Sequence, residues 1–367
     1  MAIKVGINGF GRIGRVVFRI LMERPEEFQL CGINLRNANV EDMIYMIKYD
    51  SVFGRFNGKL EPAEDGIIAN GKKIMVYSES DAANIDWTKC GAEYVIESTG
   101  VYNTTEKAYV HINGGAKKVI ISAPSKDKVT PTFVMGVNHT TYKPEYKVVS
   151  NASCTTNCLA PLTKVIQDKF GIEQALMSTI HSATAKQKAV DARAGRDRRT
   201  GRSVFNNIIP STTGAAKACA EVIPELAGKI TGMSFRVPAN DVSVVDLTAR
   251  LSVNTTYEEI CKAVKEASET YMKGIIDYTN DDVVSSDMRG ETNTCIFDEK
   301  AGVMLDSNFV KLIAWYDNEW GYSAKLVELI EYMYKQDTAA GIWLLINNET
   351  KSHNYVLWLF VYNYIIV

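Results

Sequence analysis

Lys4-Val5-Gly6-Ile7-Asn8-Gly9-Phe10-Gly11-Arg12-Ile13-Gly14 is the stretch that decides the fold of this 367-residue chain. Its first five residues read as a buried strand, and Gly9, Gly11 and Gly14 then match G-x-G-x-x-G. From Arg12 to Met22, the residues Ile13, Val16, Val17, Ile20 and Leu21 recur at helical spacing. Strand, glycine turn and helix in that order are the context a dinucleotide fingerprint requires. The glycines let backbone approach a pyrophosphate, which would rest on the free N–H groups of the helix start. A turn that merely happens to be glycine-rich is the competing reading, and the order of elements speaks against it.

Outward from this motif, strand-like runs recur at Gln29 to Asn34, Ile74 to Tyr77, Ala92 to Glu97, Lys118 to Ser122, Thr132 to Val137 and Lys147 to Val149. Segments such as Asn103 to Asn113 fall between them as crossovers. Strands alternating with crossovers predict a mainly parallel, doubly wound α/β sheet. Ligands lie at the carboxyl ends of such strands, so Thr99 in Ser98-Thr99-Gly100 and Ser122 in Ser122-Ala123-Pro124 are candidate cofactor contacts. The second strand ends in Asn34-Leu35-Arg36, where an acid would bind the NAD ribose and repel the extra phosphate of NADP. With the acid missing and Arg36 beside the gap, NADP becomes acceptable; an Arg36 that merely faces water is the duller reading.

A second landmark is Ser150-Asn151-Ala152-Ser153-Cys154-Thr155-Thr156-Asn157-Cys158. A helical pattern follows it, with Leu159, Leu162, Val165, Ile166 and Phe170 on one face. Cys154 therefore sits at a helix N-terminus, where N–H groups and the dipole favour a thiolate. A pair of buried structural thiols is the plainer alternative. Of four histidines, only His181 ends a strand pattern among small hydroxyl residues, and a nucleophilic cysteine needs such a base. Asp191 to Arg202 carries five arginines, at 193, 196, 198, 199 and 202, and guanidinium forks bind phosphate well. Thr212-Thr213-Gly214 opens a small-residue helix over Ala215 to Val222, another possible anion nest. Thr256 with Glu259 forms a capping box. Strands expected at Gln174 to Thr179, Lys229 to Val237, Asp241 to Leu251, Asn293 to Phe297 and Asn308 to Tyr316 predict an α+β unit with a mainly antiparallel sheet.

Composition narrows the function classes. Apolar residues make up 46% and charged residues 23%, which is ordinary for a globular protein. Lysine plus arginine total 41 against 43 acids, so no basic footprint points to nucleic acid as a primary partner. Seven scattered cysteines suggest neither a disulfide framework nor a zinc site, so no metal is expected. With Met1-Ala2-Ile3-Lys4 running straight into a strand pattern and the thiols expected to be reduced, a soluble cytoplasmic protein is expected. Tyr355 to Val367 is nearly all apolar, yet its 13 residues fall short of a bilayer span of about 20.

Asn8 to Arg15, Ser150 to Cys158, His181-Ser182-Ala183-Thr184, Thr212 to Ala218, Phe235-Arg236-Val237-Pro238 and Trp315 to Tyr322 together resemble the phosphorylating glyceraldehyde-3-phosphate dehydrogenases. The resemblance runs from about residue 2 to about 336. It implies a Rossmann NAD(P)-binding domain over 1–153, a catalytic domain over 154–317, and a helix over 318–336 returning to the first domain. An atypical apolar tail, 337–367, is left over, and its deletion is expected to leave activity intact. The resemblance also implies a homotetramer acting on glyceraldehyde 3-phosphate and inorganic phosphate with NAD or NADP. Cys154 matches the nucleophile and His181 its base. Thr184 and Arg236 match the site for the substrate phosphate; Ser153, Thr155, Arg199, Thr213 and Gly214 match the second anion site. Gly9, Gly11, Arg12, Ile13 and Gly14 match the pyrophosphate turn, and Asn318 matches the residue orienting the nicotinamide amide. Leu35, Arg36 and Ser80 depart from the pattern, as does Ala192-Arg193 after Asp191. All lie on the adenosine side, so NADP is expected to be accepted or even preferred. An erythrose-4-phosphate dehydrogenase and a non-catalytic nucleotide- or RNA-binding protein remain the alternatives.

Overall fold

The computed structural model describes residues 2–195 and 197–350, with side chains up to 341. In the first half, eight strands are formed: β1 (Ile3–Asn8), β2 (Phe28–Asn34), β3 (Leu60–Ala63), β4 (Gly66–Ala69), β5 (Lys72–Tyr77), β6 (Tyr94–Glu97), β7 (Lys118–Ile121) and β8 (Val148–Ser150). They lie in the order β3-β4-β5-β2-β1-β6-β7-β8. The run from β5 to β8 is parallel, and an antiparallel β3-β4-β5 meander closes one edge. Four helices belong to this half: α1 (Arg12–Glu23), α2 (Val40–Lys48), α3 (Thr105–Ala108) and α4 (Val110–Asn113). The apolar stripe read on α1 is buried: Val16, Val17, Ile20 and Leu21 all face the core.

The second half begins with α5 (Cys154–Phe170), with α6 (Ala215–Val222) and α7 (Tyr257–Glu269) following later. These helices cover one face of a second sheet made of β9 (Ile172–His181), β10 (Ile209–Thr212), β11 (Ile230–Arg236), β12 (Ser243–Leu251), β13 (Ile276–Thr279), β14 (Cys295–Asp298), β15 (Val303–Asp306) and β16 (Phe309–Tyr316). The order is β10-β11-β9-β12-β16-β14-β13, with β15 also on β16. Most pairs are antiparallel as expected, but β11 runs parallel to β9 and β13 parallel to β14. The β9–β11 pairing sets Arg236 beside His181 at the strand ends. Alternation along β12 is strict, with Val245, Leu247, Ala249 and Leu251 inward. The capping box at Thr256 and Glu259 is formed.

Two expectations need correction. Thr132 to Val137 is not a strand: only Thr132 bridges to Ser150. The Asn138 amide captures the Val134 N–H and the Thr132 carbonyl, and Gly136 turns the chain at φ +81°. The tail boundary at 337 is also wrong. The C-terminal helix α8 spans Trp320–Thr350, and Asp337 accepts hydrogen bonds from Tyr94 (2.7 Å) and Tyr142 (2.9 Å). It also pairs with the buried Lys118 at 3.3 Å. Asp337 thus pins α8 to the nucleotide-binding half, where Leu326, Leu329, Ile330 and Met333 join the core of α1. The Tyr355 to Val367 run lies outside the described residues, among which no helix is long and apolar enough to cross a membrane.

Candidate active site

Cys154 opens α5, and Ser153 is its N-cap, accepting from the Thr156 N–H at 3.1 Å. The backbone enters through Ala152, held at φ +54°. The Cys154 Sγ lies 3.5 Å from His181 Nε2, across the junction of α5 and the end of β9. His181 Nδ1 is 2.9 Å from the Ser182 carbonyl. Donation of Nδ1–H to that carbonyl leaves the Nε2 lone pair facing the thiol, the tautomer a base requires. Arg236 Nη1, which can only donate, stands 2.7 Å from the same Nδ1 and donates to the same carbonyl at 3.2 Å; the ring contact suits a bare Nδ1, so the base tautomer requires the guanidinium to bond the carbonyl rather than the ring. Burial, reinforced by the Arg236 charge, pushes His181 down to about 3, so the ring is neutral. Burial pushes the Cys154 thiol up, and Arg236 and the Thr155 N–H offset this only in part. At rest the pair is therefore a neutral thiol facing a neutral imidazole.

The glycine turn is shaped by three distinct constraints. Gly9 has φ +97°, and a Cβ there would lie 2.7 Å from the Thr99 nitrogen. A Cβ on Gly14 would lie 2.2 Å from the Gly9 carbonyl oxygen. Gly11 faces open space and caps α1 with no side-chain hydrogen bond, so the first N–H groups of α1, including that of Ile13, stay free. An open cradle before an uncapped helix start fits a dinucleotide pyrophosphate. The Arg12 side chain is committed elsewhere, to Asp50 and to Glu319 (2.6 Å), so only its backbone faces the cradle. Thr99 is tied by its N–H and hydroxyl to the buried Glu97, which also binds Asn8 and His111. Ser122 bonds Tyr322 at 3.2 Å. Asn34 clamps the chain at Glu79 by two hydrogen bonds, leaving Ser80 exposed next to it. Leu35 is half-buried and Arg36 exposed.

The anion-site candidates are placed less uniformly. Thr213 accepts from Ala215 N–H, and Gly214 begins α6 with open space around it. Arg199 lies on a short turn, Arg198–Gly201, that faces the end of β10 across a cavity of about 510 Å³ lined by Arg198, Ser211 and Thr212. That cavity does not include Cys154 or His181. Thr184 is exposed and its hydroxyl donates to Gln187 at 2.9 Å. The Thr155 hydroxyl has a partner inside the protein. It is buried and bonded to Tyr316 at 2.9 Å, whose hydroxyl also meets Thr179 at 2.8 Å.

Two family models match the chain: the glyceraldehyde 3-phosphate dehydrogenase NAD binding domain over residues 3–105, and the C-terminal domain of the same family over 153–318. This chain belongs to the glyceraldehyde 3-phosphate dehydrogenase family. A relative so named from Claviceps purpurea is 58% identical over 339 residues, covering 92% of this chain and all of the relative. Those from Podospora anserina and Lyophyllum shimeji are 56% and 58% identical, over 92% and 91% of this chain and 100% and 98% of their own lengths.

Within this dehydrogenase-family chain, sequence patterns missed several groups that shape the site. Tyr316 sits inside the Trp315 to Tyr322 motif, but nothing in a linear pattern shows that it joins Thr155 to Thr179. Asp50 and Glu319 are 269 residues apart yet share Arg12. Ser182, just past the end of β9, and Ser243, at the start of β12, both bond Asn318. Next to Ser243, the buried Val242 is held at φ +62°, a conformation that a β-branched residue rarely adopts.

Proposed function

We propose that this chain oxidises glyceraldehyde 3-phosphate to 1,3-bisphosphoglycerate, with inorganic phosphate as acceptor, as a step of glycolysis. The observation that carries this reading is the 3.5 Å approach of the Cys154 thiol to a neutral His181 at a helix start, in a chain of this family. His181 Nε2 takes the thiol proton as sulfur adds to the aldehyde carbon and passes it to the carbonyl oxygen, giving a thiohemiacetal hydroxyl on Cys154 and a neutral ring again. Its hydroxyl proton leaves to His181 as the carbon is oxidised to the thioester. NAD or NADP, when bound, supplies the hydride acceptor. A phosphate oxygen then attacks the thioester carbon, the C–S bond breaks, and the Cys154 thiolate is released.

The cradle at Gly9, Gly11, Ile13 and Gly14 would hold the pyrophosphate, and Asn318 the nicotinamide amide. Arg236 is suited to the substrate phosphate, since its Nε is buried without a partner among the described residues. Thr184 would join it by exchanging Gln187 for that phosphate. Ser153, Arg199, Thr213 and Gly214 would serve the attacking phosphate, with the Thr155 N–H in place of its hydroxyl. Use of NADP beside NAD is supported by the exposed Arg36 next to an apolar Leu35. A homotetramer is supported by the face of the second sheet that no described helix covers, where Leu176 is 65% and Leu305 79% exposed, and by Val190, Phe205 and Ile208 standing out around the arginine loop. Seven free thiols suit the reducing cytoplasm.

The test is an assay with glyceraldehyde 3-phosphate, with and without phosphate, using NAD and NADP in parallel. Phosphate-dependent reduction of either cofactor is expected. Phosphate-independent turnover would overturn the phosphorylating reading, and exclusive use of NAD would overturn the reading of Arg36.

A further inference from the structure

Asn318 follows β16 and is 4% exposed. Its Oδ1 is approached by two hydroxyls: Ser182 Oγ at 2.8 Å and Ser243 Oγ at 2.6 Å. Ser243 Oγ also accepts the Ser182 backbone N–H at 3.1 Å, so its own proton is free to go to Asn318. Both serines are buried, and each hydroxyl proton finds its acceptor in that one amide oxygen. A flipped amide would place NH2 against the two hydroxyls and take away that acceptor, a costly exchange for buried donors. The Asn318 Nδ2 has no protein acceptor among the described residues, so its protons are left to a ligand.

We infer that Ser182 and Ser243 are positioning residues that lock the Asn318 amide with its N–H donors toward the nicotinamide carboxamide. The inference rests on the reading of Asn318 as the nicotinamide anchor. It also ties that anchor to the base, because Ser182 gives its carbonyl to His181 and its hydroxyl to Asn318. Base and hydride acceptor are thereby registered through one residue.

The experiment compares dissociation constants for NAD and for ADP-ribose, which lacks the nicotinamide, by titration calorimetry of the full chain. The unaltered protein, Ser182→Ala, Ser243→Ala, the double variant, Ser243→Thr and Asn318→Ala are measured. The preference for NAD over ADP-ribose should shrink about tenfold in the double variant, the scale of one hydrogen bond. ADP-ribose binding should stay within about twofold, and Ser243→Thr, which keeps the hydroxyl, should restore much of the preference. Should the double variant fail to bind ADP-ribose, the single variants carry the comparison. A preference lost in Asn318→Ala but intact in the serine variants would overturn the inference and spare the anchor. A preference intact in Asn318→Ala as well would overturn both. Equal loss of NAD and ADP-ribose binding in the single serine variants would show a general packing role and overturn the inference.

Discussion

His181 carries a clear pH signature. It is held neutral with a value near 3, against 6.5 for an unburied histidine. The unfolded chain therefore binds one more proton than the folded chain between those two values. Stability contributed by the neutral ring is full above pH 6.5 and is lost as pH falls toward 3, at up to about 1.4 kcal/mol per pH unit. His181→Gln should flatten the fall in urea midpoint between pH 6.5 and 5; an unchanged slope would show that the ring is not buried neutral. In the same variant the thiol has lost its base, so turnover should drop about 10²- to 10⁴-fold and recover partly as pH rises and the thiol ionises unaided. The contact of Cys154 with His181 was legible from linear pattern, because a cysteine at a helix start and a histidine at a strand end each carry a local signal. The bond of the Thr155 hydroxyl was not legible for the converse reason: its partner, Tyr316, is 161 positions away.

Among the elements, the β1–α1 turn separates folding from binding. Gly14→Ala places a methyl about 2.2 Å from the Gly9 carbonyl and should cost about 1–3 kcal/mol in stability. Gly11→Ala meets nothing within 4 Å and should shift stability by less than about 1 kcal/mol. Yet its methyl enters the cradle, so NAD binding should weaken at least about tenfold, as titration calorimetry would show. At the other end of the chain, a protein ending at Gln336 loses the Asp337 anchor, leaving two tyrosine hydroxyls without their acceptor and Lys118 with backbone carbonyls but no carboxylate. It should unfold at a lower temperature than one ending at Ala340, by about 1–3 kcal/mol. Equal melting of the two would place the tail boundary back at 337. The periodicity of α1 and β12 was readable because one face of each is buried. The course of Thr132 to Val137 was not, because the Asn138 side chain, rather than a hydrophobic pattern, fixes that backbone.

For the molecule as a whole, the described helices cover only one side of the second sheet. Leu176→Asp should break an assembly built on the open side, moving the light-scattering mass below four times the 40.8 kDa of the chain. An unchanged mass would place the subunit contact elsewhere. The two-sheet architecture was legible from the order of strands and crossovers, whereas the Asn318 cluster depends on β12 and β9 lying side by side. Val242 adds a consequence for anyone seeking a hardier catalyst. Its left-handed backbone stores about 1–3 kcal/mol, and a glycine would release that tension while giving up the buried side chain. The tension is held one residue from the Ser243 hydroxyl, so relaxing it would loosen the aim of that hydroxyl. Because losing the buried side chain offsets the released tension, Val242→Gly should leave heat resistance little changed while discrimination between intact and nicotinamide-free coenzyme falls, so the twisted peptide serves grip rather than robustness.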